Sequence, residues 1–264
     1  MSESNLQIFT NVLPLFEKSV TLFSDKLEKP SWSVDEHNGY QPRFANPNSG
    51  HFQLLMAVKI VSTLNAVICL LKEGYVQEVG ILLRVIDECS AKILCVEEAH
   101  VKRALTSEQK KIINEYFQFD IRKVEDISSS DKWWVDMKKV FASQARFLSE
   151  GTPNKDIHSI LEMCKVIYDA YTGYVHGFYP HVMELYDTDK ELFRMKGLLD
   201  TRHYQGMVMA VSSAILRVFN VFAQIAPRFD LLELRKELID NRNIFIKSEA
   251  YNNRADLKLR FAPF

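Results

Sequence analysis

An arginine and a glutamate one helical turn apart, Arg84 and Glu88, stand on a segment from Tyr75 to His100 that is otherwise apolar on nearly every side. At 100° per residue, Gln77, Gly80, Arg84, Glu88, Ala91 and Cys95 form one stripe, with Asp87 beside it. A guanidinium offers fixed donors to a phosphate or carboxylate, and the neighbouring glutamate would hold it in place. The same spacing also describes an ion pair that only positions the helix, so both readings stay open. The second candidate is His176, which closes the segment Tyr171-Thr172-Gly173-Tyr174-Val175-His176 ahead of Gly177. Its imidazole either caps a helix carboxyl end or enters a site. Arg84, Glu88 and His176 are therefore the candidate catalytic residues, and Asp87, Thr172 and Tyr174 the candidate ligand-binding ones.

Metal chemistry finds less support. Glu97-x-x-His100 and Asp200-x-x-His203 pair a carboxylate with a histidine at di-metal spacing, but both fall at predicted helix ends. The two further inward-facing glutamates that such a site needs have no clear source. No Gly-rich phosphate loop, nucleophile elbow or zinc signature is present, so neither metal nor cofactor is expected.

The elements that must carry these residues are helices. Glycine is scarce, at 9 residues, and no strand ladder stands out, which predicts an all-α, single compact multi-helix bundle over residues 1–264. Helices are expected near Asn5–Lys29, His51–Glu73 and Tyr75–His100, the last two forming a central hairpin broken at Gly74. More polar, peripheral helices follow near Ser107–Ile127 and Trp133–Leu148. Further helices are expected at Asn154–Val175, His181–Tyr186, Thr201–Ile225 and Asp230–Asp240. Residues 30–50 carry three prolines and read as a strap that Trp32, Tyr40 and Phe44 pin to the bundle. Residues 241–264 read as a locally basic tail that packs on the bundle or on another subunit.

Lys and Arg total 33 against 34 Asp and Glu, so no overall field draws the chain to nucleic acid or to an anionic membrane, and any such binding needs a local patch. The four cysteines lie in apolar helical stretches without zinc spacing and read as reduced, buried hydrophobes. Together with an amino-terminal sequence unlike a secretory signal, they point to the cytoplasm. Phe52 to Leu71 is apolar and long enough for a bilayer. Lys59, Ser62, Thr63 and Asn65 near its middle favour a buried bundle helix instead, so no membrane partner is expected.

The Arg84-x-x-x-Glu88 helix followed by Thr172-x-Tyr174-Val175-His176 resembles a group of poorly characterised bacterial helical proteins, and through them the HEPN superfamily. The resemblance covers roughly residues 50 to 186. It implies a helical core that dimerises and binds RNA, a nucleotide or a partner protein, in antiviral defence or stress response, with metal-independent ribonuclease activity in some members. Catalytic members carry an arginine and a later histidine with four to six residues between them. Here the three positions that precede His176 at that spacing hold Asp169, Ala170 and Tyr171. A ribonuclease centre would then require Arg84 and His176 to meet from different helices. The rival expectation is a non-catalytic interaction module in which these polar residues are structural.

Overall fold

The long apolar segment that carries Arg84 is one helix, and most of the remaining helices are arranged around it. The computed structural model describes residues 3–35, 39–102, 104–118, 137–150, 156–188, 190–195, 197–199 and 201–252. The chain opens with α1 (Glu3–Asp25) and α2 (Ser49–Lys72). The central helix is α3 (Val76–Val101), followed by α4 (Ser107–Gln118), α5 (Met137–Glu150), α6 (Ile157–His176) and the short α7 (Tyr179–Met183). The last three are α8 (Arg202–Ile225), α9 (Leu232–Lys247) and α10 (Glu249–Asn252). The result is a compact, mostly helical fold.

Local chemistry sets several of these boundaries. Asn48 caps α2 by accepting from the Gly50 amide at 2.8 Å and the His51 amide at 3.3 Å, while His51 Nδ1 accepts from the Asn48 amide. α4 opens at Ser107 as expected, capped by Thr106: its Oγ1 accepts from the Gln109 amide, and Gln109 Oε1 accepts from the Thr106 amide at 2.9 Å. Thr201 Oγ1 accepts from the Tyr204 amide and opens α8. α6 ends at Gly177, which is left-handed with φ 59°.

The α2–α3 hairpin is present as expected and makes the largest helix pairing of the fold. Its main core is completed by α1, α8 and α9, with Phe16 seated edge-on to Phe219 at 4.7 Å and Phe23 stacked on Phe229 at 4.8 Å. A second, smaller cluster joins Ala91 and Cys95 of α3, Val140, Phe141 and Ala145 of α5, and Ile160 and Cys164 of α6. α5 is therefore no peripheral helix: burial of Val140, Phe141 and Ala145 outweighs its polar composition. α6 and α8 both pack on α3 and scarcely touch one another, which leaves a groove between them with α3 as its floor.

Several expectations are corrected. The strap contains an antiparallel hairpin, β1 (Ser31–Asp35) with β2 (Gly39–Arg43), in which Trp32 faces Pro42. A second tiny hairpin pairs β3 (Tyr186–Asp187) with β4 (Leu192–Phe193). These runs are too short to give a period-2 signal, and Pro42 is tolerated because a two-stranded hairpin has only edges. Trp32 is 62% exposed, while Phe44 lies against the bundle with its ring 4.3 Å from that of His51. Tyr40's side chain lies outside the described residues. Cys69 is exposed, whereas Cys89, Cys95 and Cys164 are buried. α1 stops at Asp25, four residues before the expected end. α9 runs on to Lys247 because Phe245 and Ala250 complete the core, and Ser212 Oγ donates to the Ala250 carbonyl at 2.7 Å. Residues 253–264 of the expected basic tail, residues 119–136 with the Ser128–Asp131 loop and Trp133, the expected helix start at Asn154, and Asp200 lie outside the described residues.

α2 and α8 are long and apolar enough to cross a membrane, but more than half of each apolar stretch is buried inside the protein.

Candidate functional site

The α3 stripe that reads as a polar site is the face on which α6 is seated. Gln77 Nε2 donates to the His181 carbonyl. A Cβ added at Gly80 would lie 2.5 Å from the Tyr174 ring, so only the missing side chain lets that ring reach α3. Arg84 donates through Nε to Glu88 Oε1 at 2.9 Å and through Nη2 to the Tyr168 hydroxyl, and its guanidinium carbon lies 4.3 Å from the centre of that ring. Ala91 and Cys95 finish the seat in the second cluster.

The expected site residues part company here. Arg84 and Glu88 form the ion pair that their spacing implies, and it is only partly exposed. Thr172 donates back to the Tyr168 carbonyl at 2.8 Å within its own helix. His176 is exposed at the end of α6, with its ring against Phe178 at 5.9 Å. It lies two turns, about 12 Å of helix rise, beyond the tyrosine that Arg84 touches. Arg84 and His176 share no contact. Asp87 and Tyr174, by contrast, each line a cavity.

The Tyr174 cavity is a cleft of about 880 Å³ between α6, α7 and the first two turns of α8. Tyr174 donates to Glu184, with oxygens 3.2 and 3.3 Å apart, and His203 Nδ1 lies 3.9 Å from Glu184 Oε1. The His181 ring meets the Tyr174 ring edge-on at 4.4 Å, and its Nδ1 is buried without a hydrogen-bond partner. A Cβ at Gly173 would overlap that imidazole, so the glycine makes room for α7. Arg202 lines the cleft at the amino end of α8, opposite an apolar wall from Val166, Ile167, Ala170, Met207 and Ala210. Burial pushes the Tyr174 phenol far above its usual range, with Glu184 adding to the effect. It also raises the Glu184 carboxyl, against the pull of Tyr174's hydrogen bond, and lowers the His203 imidazole. Burial thus disfavours the charged forms of both Glu184 and His203, which sit side by side at the cleft.

Asp87 lines a second cavity, of about 200 Å³, where α3, α5, α6 and α8 meet. Its Oδ1 lies 2.7 Å from Arg217 Nη2, and burial raises its carboxyl in spite of that guanidinium.

Two further polar clusters tie elements together. Glu98, 4% exposed, accepts from Arg146 at 2.9 Å, Lys102 at 2.8 Å and Ser143. Burial alone would raise its carboxyl, but these donors hold it below the usual range. Glu97 accepts from Gln53 Nε2 at 3.0 Å, and Arg228 reaches Ser49 Oγ at 2.6 Å. Burial raises Glu97, lowers Arg228 to about 10, and with Arg228 lowers His100 to about 4. The Glu97 and His100 pair thus faces a cation, and no group of three or more His, Cys, Asp or Glu that could hold a metal gathers among the described residues.

His181, Glu184, Arg202 and Arg217 escape a reading of the sequence, and His203 enters it only as a metal candidate. Arg217 alone leaves a signal, as a lone charge midway along an apolar helix. His181 in the short α7, Glu184 just after it and His203 in the first turn of α8 stand where polar residues are ordinary. Comparison of the chain with protein-family models, curated proteins and solved structures finds no match.

Proposed function

We propose that this is a HEPN-like helical protein that binds a nucleotide, free or at a phosphodiester of an RNA chain, in the cleft between α6, α7 and α8. The observation that carries the reading is the convergence of Tyr174, Glu184, His203 and Arg202 on one cleft of about 880 Å³ with an apolar wall. The wall suits the face of a base, Glu184 and Tyr174 suit ribose hydroxyls, and Arg202 with the amino end of α8 suits a phosphate. In the catalytic form of this reading, His203 takes the 2′-hydroxyl proton as that oxygen attacks phosphorus, and the Glu184 carboxyl gives a proton to the departing 5′-oxygen. Arg202 offsets the charge on the phosphorane, and no metal is required. Glu184 and His203 thereby take the acid–base role for which His176 was the candidate, and Arg202 takes the charge-stabilising role for which Arg84 was.

Titration with adenosine 5′-monophosphate, adenosine and inorganic phosphate tests binding, and cleavage of single-stranded RNA in the presence of EDTA tests catalysis. Wild-type protein should bind the monophosphate, and His203→Ala and Glu184→Gln should weaken it at least tenfold with little change in melting temperature. No binding by the wild type, or equal binding by all three proteins, overturns the reading; binding without cleavage removes only its catalytic form.

A second reading, an interaction module, is favoured by the apolar side chains exposed around α7 and β4, namely Phe178, Tyr179, Leu192, Phe193 and Met195. It makes this face the contact with a second copy of the chain. A monomer at all concentrations in sedimentation would argue against it.

A further inference from the structure

The cavity beside Asp87 carries features that a merely packed interior avoids. Asp87 is 9% exposed, Ser90 2% and Gln144 9%, yet Asp87 Oδ2, Ser90 Oγ and Gln144 Oε1 have no hydrogen-bond partner. Arg217 is buried beside them, its guanidinium shared between Asp87 and Tyr171. Leaving even one such atom unpaired is costly, and three around one cavity are a pattern rather than a lapse of packing. All four residues line the space, and the rest of its lining is mostly apolar, from Leu94, Phe141, Met163, Cys164, Ile167 and Val221, with Tyr168 and Asn220 the polar exceptions.

Three properties define the occupant. The first is size: about 200 Å³ somewhat exceeds the ~150 Å³ cavity that admits benzene, so one six-membered ring with small substituents fits. The second is charge. Asp87 and Arg217 already compensate one another at 2.7 Å, and a charged ligand would leave a surplus charge buried, so the occupant is neutral. The third is its polar edge. Asp87 presents an acceptor next to the donor of Arg217, and the complement is an acceptor next to an N–H donor, held in one plane. A lactam or amino-imine edge has that arrangement, and Gln144 Oε1 stands ready for a further N–H.

We propose that the cavity between α3, α5, α6 and α8 is a binding site for a small, neutral, planar heterocycle with a lactam or amino-imine edge, read by Asp87 and Arg217. The site stands on its own geometry and does not depend on the nucleotide reading of the larger cleft, because its ligand needs no sugar or phosphate.

The test uses 2-pyridone as the probe, N-methyl-2-pyridone as the analogue without the N–H donor, and toluene as the apolar control. Binding is followed by calorimetry and by amide shifts of residues around the cavity in NMR spectra of the whole chain. Wild-type protein should bind 2-pyridone at least tenfold more tightly than either control, since both controls leave the Asp87 acceptor unpaired. The double variant Asp87→Leu with Arg217→Met keeps the volume and removes both charges together, which a folded core tolerates. It should lose 2-pyridone binding at least tenfold while still admitting toluene. Failure of 2-pyridone to bind the wild type, binding no tighter than toluene, or unchanged binding in the double variant would each overturn the proposal.

Discussion

Lowering the pH from 7 to 5 should destabilise the fold through His100, and the effect can be worked from its surroundings. His100 Nε2 is buried without a hydrogen-bond partner, and burial together with Arg228 lowers the imidazole from 6.5 to about 4. A histidine whose folded value is depressed binds fewer protons folded than unfolded between those two pH values, so its contribution to stability falls as pH falls through that window. Carried through in full, the shift would cost about 2 kcal/mol on going from pH 7 to pH 5. The ring is only half-buried, and solvent screening reduces this to about 1 kcal/mol. Glu97 works with the opposite sign. Its carboxyl is raised by burial, so protonation toward pH 5 relieves a penalty. His100→Leu removes the first contribution and leaves the second. Thermal melts followed by circular dichroism at pH 7 and pH 5 should show the wild type losing about 2–4 °C more than the variant, at the usual scale for a chain of this size. Equal acid sensitivity in the two proteins would show that His100 is not held neutral by its surroundings.

Two other substitutions separate bracing from binding. Gly173→Ala drives a methyl group into the His181 ring, and overpacking of this kind costs about 1–3 kcal/mol, so the melting temperature should fall and adenosine 5′-monophosphate binding with it. A variant as stable as the wild type would mean that α7 moves aside freely. Arg84→Ala removes the link from Glu88 to Tyr168 and should cost about 1–3 kcal/mol by denaturant titration, with nucleotide affinity unchanged. A loss of affinity without a loss of stability would return Arg84 to the site.

The helical architecture was legible because apolar residues recur with helical period along α1, α2, α3, α6 and α8. On α6 the division between a solvated face of His158, Glu162, Lys165 and Asp169 and a buried face of Ile160, Cys164 and Tyr171 is visible in the spacing alone. The α3 stripe was legible as a face but not as to its occupant. Whether Arg84 meets His176 or Tyr168 depends on the crossing of two helices, and periodicity within one helix carries no information about the register of another. The larger cleft escaped for a related reason. Glu184 and His203 lie on separate elements, and the Gly173 and Gly80 approaches that bring Tyr174 and His181 beside them are properties of packed backbones. The strap hairpin escaped because five-residue strands with a proline lack a clear alternation.

The groove between α6 and α8 has a consequence for how ligand occupancy would register elsewhere in the chain. α6 is joined to the rest chiefly through α3 and α5, while α8 belongs to the main core with α1 and α9. Lifting α6 therefore exposes the small second cluster and leaves the phenylalanine core intact, an opening whose free energy lies below that of global unfolding. A ligand lodged in the groove touches both helices and makes that opening contingent on its own release. Amide hydrogen exchange along α6 then becomes a record of occupancy, slowed by ligand in a helix that gives only Tyr171 to the main core.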